Sequence, residues 1–174
     1  MPKEFVITMT AANRVGILAA VSNAMLELGG DLLETRQTVV RGFFTMIFAA
    51  RFPDERDAQL IRDHLQGVCA PFGIDLGVKD PTEETLPAET PQTEIEITIS
   101  GTNQRGLLHR IAKQFSLFGA DIVSMRAVCS ADGESFTMPM TLALPVGTEP
   151  GPFLNDVQEM GREHRFSLVV EPQR

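Results

Sequence analysis

The sequence predicts an α+β protein made of two copies of one βαββαβ unit in tandem. Two observations lead to this prediction. The chain of 174 residues repeats itself at a nearly constant offset. Each half also shows the same order of strand-like and helix-like hydrophobic periodicity. We therefore expect a first domain at 1–79, a linker at 80–92 and a second domain at 93–174.

The repeat is visible first in the polar and small residues that separate the predicted elements. At an offset of 90 residues the matching pairs are Thr8/Thr98, Asn13/Asn103, Gly16/Gly106, Leu18/Leu108, Gly29/Gly119, Asp31/Asp121 and Arg36/Arg126. An insertion of two residues then moves the offset to 92, where Phe-Thr-Met at 44–46 matches 136–138. Chance does not readily produce such a series in one order, so the two halves are predicted to share one fold.

Hydrophobic periodicity predicts the same elements in both halves. In the first unit they are a strand at 4–10, a helix at 15–28, strands at 31–40 and 43–52, a helix at 54–70 and a strand at 73–79. Gly29-Gly30 favours the end of the first helix, since glycine adopts positive φ at low cost. Asp132-Gly133 favours a hairpin turn in the second unit.

The apolar positions of these elements predict the core. In the helices they are Ile17, Leu18, Val21, Met25, Leu28, Leu60, Ile61, Leu65 and Val68, then Leu107, Leu108, Ile111, Phe115 and Phe118. In the last strands they are Ile74, Leu76, Val78, Phe166, Leu168 and Val170. The segment between the units has prolines and acids without apolar periodicity, which favours an extended linker.

The order βαββαβ, with right-handed crossovers, predicts a ferredoxin-like arrangement. In it, a four-stranded antiparallel sheet carries both helices on one face. The other face and the sheet edges need polar cover or a partner, which is a reason to expect a homodimer.

Charge and hydropathy restrict the partners. The formal net charge is −8, and no cluster of Lys and Arg interrupts it, so direct binding to nucleic acid is not expected. No apolar run approaches the roughly 20 residues that span a membrane, and the first residues do not resemble a signal peptide. A cytoplasmic location is therefore the expectation.

No catalytic or metal-binding pattern is evident. The histidines His64, His109 and His164 fit no triad or metal spacing, and two of them are expected on exposed helix faces. Cys69 and Cys129 lie far apart and are expected to be buried free thiols. The sequence predicts no catalytic residue, no metal and no cofactor.

The turns before the first helices resemble a known motif. Asn13-Arg14-Val15-Gly16-Ile17-Leu18 and Asn103-Gln104-Arg105-Gly106-Leu107-Leu108 resemble the D/N-R-P-G turn of ACT domains. Gly29-Gly30-Asp31 and Gly119-Ala120-Asp121 resemble the step that opens the second strand in that family. Val15 and Arg105 replace its proline. A chain of two such units resembles the glycine-cleavage-system transcriptional repressor family.

The resemblance implies an amino-acid-sensing regulator, with glycine as the first ligand to consider, that acts through a protein partner. In ligand-binding ACT proteins the turn of one unit and the second-strand start of its neighbour share the ligand. The residues expected to bind it are Asn13, Arg14, Val15, Gly16, Ile17 and Asp31, and Asn103, Gln104, Arg105, Gly106, Leu107 and Asp121.

The residue types fit such a ligand. Backbone N–H groups at a helix start favour a carboxylate, an asparagine can donate and accept, and an aspartate accepts from an ammonium group. Purely structural roles stay open, since asparagine also caps helices and aspartate is common in loops. Arg36 and Arg126 more often form cross-strand ion pairs than ligand contacts. A protein-interaction module without a ligand is the alternative function.

Overall fold

The computed structural model describes residues 1–82 and 92–171, and the chain forms two compact units, Met1–Pro87 and Ala88–Arg174. The predicted linker at 80–92 lies for the most part outside the described residues, so the predicted boundaries stay a proposal. The fold-class prediction is confirmed, because each unit has an antiparallel sheet and two main helices.

Within residues 1–82, the first unit has four strands and two α-helices. They are β1 (Lys3–Ala12), α1 (Ile17–Leu28), β2 (Asp31–Val40), β3 (Phe43–Phe52), α2 (Ala58–Cys69), the short 3₁₀ helix Ala70–Phe72 and β4 (Asp75–Lys79). The sheet order is β2-β3-β1-β4, and all neighbours are antiparallel. This is the ferredoxin-like order, and it leaves β2 and β4 at the edges.

The second unit repeats this arrangement with a divided edge strand. Its elements are β5 (Gln92–Thr102), α3 (Leu107–Leu117), β6 (Asp121–Met125), β7 (Val128–Cys129), β8 (Ser135–Pro145), α4 (Pro150–His164) and β9 (Phe166–Val170). The sheet order is β6-β8-β5-β9, and β7 also pairs with β8. The segments β6 and β7 together occupy the position that β2 has in the first unit.

Each unit has its own hydrophobic core between its sheet and its helices. In β1 the alternate residues Phe5, Ile7 and Met9 are buried against the helices, as the period of two predicts. Phe5 packs edge-on against Phe52 at a centroid distance of 6.0 Å, and Phe115 packs similarly against Phe153 at 5.3 Å. Among the described residues, each buried cluster contains side chains of one unit only.

Several predicted core positions are wrong. Leu18, Leu108 and Leu60 are 55%, 45% and 38% exposed, because they flank the buried helix stripe instead of lying in it. Val170 is 44% exposed at the sheet edge. Val68, Leu76 and Phe118 are half-buried and pack against the cores, as predicted. Cys69 is buried as expected, whereas Cys129 is exposed on the edge segment β7.

The second helix starts later than predicted. Residues 53–56 form a turn, closed by the bond from the Arg56 N–H to the Pro53 carbonyl at 3.0 Å. Asp57 then caps α2 by accepting from the Leu60 N–H at 2.8 Å. No helix within residues 1–82 and 92–171 is long and apolar enough to cross a membrane.

Candidate functional site at the strand-to-helix corners

A tight corner joins the first strand to the first helix in each unit. The residues between β1 and α1 are 13–16, and those between β5 and α3 are 103–106. Gly16 has φ 100° and Gly106 has φ 76°, a region that other L-residues enter only with strain. The glycine at each corner is therefore required by the conformation of the backbone itself.

The hairpin turn that joins the second strand to the third in each unit contacts the corner through a hydrogen bond. The Asn13 N–H donates to the Gly42 carbonyl at 2.8 Å. In the second unit the Asn103 N–H donates to the Glu134 carbonyl, also at 2.8 Å. The two bonds occupy equivalent places, so the corner is part of a duplicated framework, and no sequence pattern predicts these contacts.

A second brace comes from the end of the second helix region. Arg14 donates through Nη1 to the Pro71 carbonyl at 3.5 Å, and Gln104 donates through Nε2 to the His164 carbonyl at 2.8 Å. The side chains of Arg14 and Gln104, predicted near the ligand, therefore point toward their own unit's second helix. Arg14 and Gln104 would therefore contact a ligand at the corner only through their backbone atoms.

The second and third N–H groups of each following helix have no protein acceptor among the described residues. Within the described residues, the N–H groups of Leu18 and Ala19 have no backbone or side-chain partner, and the same holds for Leu108 and His109. Neither asparagine caps its helix. The N-cap residues are Gly16 and Gly106, and no side chain bonds to an N–H group of the first helical turn. Each helix start therefore offers unpaired donors and the positive end of the helix dipole.

The two asparagines differ in their side-chain bonds. Asn103 donates through Nδ2 to the Gly133 carbonyl at 2.9 Å, which leaves its oxygen to accept from a ligand. Asn13 is exposed, and its side chain has no hydrogen-bond partner among the described residues. The first corner can therefore both donate to a ligand and accept from it through the amide of Asn13.

The surroundings of the two glycines also differ. A side chain added at Gly16 would meet the ring of Phe72 at 3.4 Å, so this ring covers the α-carbon from within the unit. At Gly106 the nearest atom is Nη1 of Arg110, at 3.9 Å. Val15 and Arg105 are exposed, whereas the helix-starting Ile17 and Leu107 are buried as anchors. The side chains of Ile17 and Leu107 are therefore unavailable to a ligand, and their N–H groups already donate to the Arg14 and Gln104 carbonyls at 3.5 and 3.2 Å.

The predicted aspartates are remote from the corner of their own unit. Asp31 is in register with Arg51 and Glu4, eight residues along β1 from Ala12, which is roughly 26 Å at strand spacing. Asp121 is the equivalent first residue of β6. Both are exposed, and within one unit neither can contact a small ligand held at the corner.

Other ionisable groups lie outside the corners. His64 is half-buried, not exposed as predicted, and its Nε2 lies 2.8 Å from Oε2 of Glu27. His164 is half-buried as well. Within the described residues, no group of three or more His, Cys, Asp and Glu side chains is arranged to hold a metal ion.

The hairpin that braces the second corner has a perturbed carboxyl group. The pKa of Asp132 is lowered by the hydroxyl of Ser130 and next by the backbone N–H of Glu134, both of which donate to the carboxylate. Asp132 thus organises the turn whose Gly133 and Glu134 carbonyls hold Asn103.

Comparison with known proteins gives the family. No protein-family model matches the chain. Over 77 residues, or 44% of its length, the chain is 37% identical to a UPF0237 protein of Methanosarcina mazei and covers 84% of that protein. The chain belongs to the UPF0237 family. This member is also 22% identical over 167 residues to the phosphoserine phosphatase SerB2 of Mycobacterium tuberculosis, of which it covers 40%.

Solved structures show that the tandem architecture is shared. A protein of unknown function from Galdieria sulphuraria is 18% identical, with a TM-score of 0.83 and complete coverage of both chains. A candidate glycine cleavage system transcriptional repressor is 13% identical, with a TM-score of 0.69 and 99% coverage of both chains. This UPF0237 member accordingly shares its tandem fold with both structures, and at these identities the likeness concerns the fold alone.

Proposed function

We propose that this protein is a non-catalytic regulator that binds a small amino acid, glycine in the first place, at its strand-to-helix corners. The observation that carries the proposal is that helix-start N–H groups without an acceptor occur at the same corner as an asparagine side chain. The N–H groups suit a carboxylate, and the amide oxygen of Asn13 or Asn103 suits an ammonium group.

The aspartates can join this site only from outside the unit whose corner holds the ligand. The roughly 26 Å between Asp31 and the corner of its unit far exceeds the length of an amino acid. The proposal therefore includes a homodimer whose assembly the ligand favours. With a net charge of −8, the output is expected to pass to a protein partner in the cytoplasm and not directly to DNA.

Isothermal titration of the full chain with the free amino acids tests this function. We expect glycine to bind and Asn13→Ala to weaken binding by at least about tenfold, since the variant removes both an acceptor and a donor. Asn23→Ala is the matched control, because the amide of Asn23 bonds Glu27 along α1 and lies away from the corner. Absence of heat and of thermal stabilisation with every amino acid would remove the proposal.

A ligand-independent interaction module is the second candidate, and the edge strand β2 favours it. All ten residues of β2 are exposed, among them the apolar Leu32, Val39 and Val40. An exposed edge of this length is suited to pairing with a strand of a partner protein. Co-purification of a partner that is lost on Val39→Lys and unaffected by Asn13→Ala would favour this candidate.

A further inference from the structure

A groove of about 240 Å³ lies on the face of the second sheet that carries no helices. Its polar lining residues are Glu96, Thr98, Ser124, Arg126, Thr141 and Glu171. Ile95, Ile97 and Ile99 of the same strand are buried on the opposite face, which places Glu96 and Thr98 on the open one. The volume is below the roughly 300 Å³ at which pockets for drug-sized ligands begin, so it suits one small metabolite.

Pro139, which lines the groove, accounts for the division of the edge strand beside it. The Arg126 N–H donates to the Pro139 carbonyl at 3.0 Å, so this carbonyl points toward the edge strand. The N–H of a strand residue points to the same side as its carbonyl, and proline has none to donate. The ladder is therefore interrupted at Arg126, and the edge strand is divided into β6, which ends at Met125, and β7, which begins at Val128.

The charges that line the groove do not neutralise one another. Within the described residues, Arg126 makes no ion pair within 4.0 Å, and the side chain of Glu96 has no hydrogen-bond partner. One oxygen of Glu171 accepts from the Thr98 hydroxyl at 3.0 Å, which fixes that carboxylate over the groove. One guanidinium and two carboxylates thus face one small space with most of their hydrogen-bonding capacity unused.

The first unit shows that the shared fold does not require this lining. At the positions of Glu96 and Thr141 it has Val6 and Ala49, and at the position of Pro139 it has Ile47. There the strand β2 is continuous, and Arg36, the counterpart of Arg126, pairs with Glu34 at 3.2 Å. Within the described residues, the combination of Glu96, Pro139 and Thr141 is therefore found in the second unit and not at the equivalent positions of the first.

We propose that the groove binds a basic α-amino acid such as lysine or ornithine. The single carboxylate of the ligand pairs with Arg126, and its two ammonium groups pair with Glu96 and Glu171. The charges of the two partners are complementary. The groove supplies one cation and two anions, and the ligand supplies one anion and two cations. This site is separate from the corners, so it does not depend on the function proposed above.

Titration of L-lysine into the full chain tests the groove. We expect binding that Arg126→Ala and Glu96→Gln each weaken by at least about tenfold, with norleucine, which lacks the side-chain ammonium, also at least about tenfold weaker. Arg36→Ala, at the equivalent position of the first unit, is the matched control and is expected to bind lysine as the unchanged chain does. Glu96→Gln preserves shape, so its effect is informative even if Arg126→Ala fails to fold.

Two outcomes overturn the proposal. One is the absence of binding up to about 10 mM lysine. The other is binding that persists in Glu96→Gln, or that is lost in Asn13→Ala or Asn103→Ala, since lysine would then occupy another place. Glycine titrated into the same variants reports on the corners, so failure at the groove and failure at the corners are distinguishable.

Discussion

The duplicated asparagines show how one residue type at equivalent positions comes to have two roles. The side chain of Asn103 is engaged with the Gly133 carbonyl, whereas that of Asn13 has no bond within residues 1–82 and 92–171. The hairpins explain the difference. The first unit turns through Arg41-Gly42, while the second has the longer turn at 131–134, which brings an additional carbonyl to the asparagine.

Removal of the two amides is expected to affect folding stability unequally. Asn103→Ala loses a side-chain hydrogen bond and is expected to lower the free energy of unfolding by about 1 kcal/mol. Asn13→Ala is expected to change it by less than about 0.5 kcal/mol. Urea denaturation followed by circular dichroism measures both values. Equal losses in the two variants would contradict the assigned hydrogen bonds.

The two thiols are expected to differ sharply in reactivity. Cys69 is 1% exposed, and burial raises the pKa of its thiol, whereas Cys129 is exposed. A thiol reagent is therefore expected to label one cysteine rapidly in the native protein and the second only after denaturation. Cys129→Ser should abolish the rapid phase. Protection of Cys129 in the native protein would show that the β7 edge is covered by a partner.

At the scale of elements, periodicity predicted the strands better than the helix starts. The strands at 31–40 and 43–52 match β2 and β3, because alternating residues and the turn between them define both ends. The start of α2 was placed four residues early, since the sequence pattern does not distinguish the turn at 53–56 from a first helical turn. Sequence reasoning also located the corners but not their braces at Gly42 and Pro71, which depend on contacts distant in the chain.

The hairpin of the second unit is expected to respond to acid. The Ser130 hydroxyl holds the pKa of Asp132 below its ordinary value of about 3.9, so the ionised carboxylate stabilises the turn. This contribution is complete above the unfolded-state pKa and is lost as the pH falls through the lower folded-state pKa. Because the pKa of Asp132 is lowered, the stabilisation of the turn is expected to be lost below about pH 4.

Nuclear magnetic resonance titration measures this response. The Asp132 carboxyl is expected to titrate below about 3.9, with the Asn103 amide following the same midpoint through Gly133 and Glu134. Ser130→Ala should raise the midpoint toward the ordinary value, and Asp132→Asn should abolish the response of Asn103. A midpoint at or above the ordinary value in the unchanged chain would refute the assigned turn.

At the scale of the whole chain, the duplication gives each unit a complete core of its own. The buried clusters of the described residues run from Phe5 to Val78 and from Ile95 to Leu168, with no member in common. Units of this size have stabilities of only several kcal/mol, so a single cavity is a large fraction of the total. A core defect should therefore be confined to the unit that contains it.

Leu65→Ala tests whether the two cores are separate in energy as well as in space. Leu65 is 0% exposed in α2, so its truncation is expected to lower the stability of the first unit by about 2–5 kcal/mol. Hydrogen exchange should then accelerate in β3 and remain slow in β8. Val157→Ala, at the equivalent fully buried position of α4, should accelerate exchange in β8 and leave β3 protected. Equal loss of protection in both strands from either variant would mean that the units unfold together despite their separate cores.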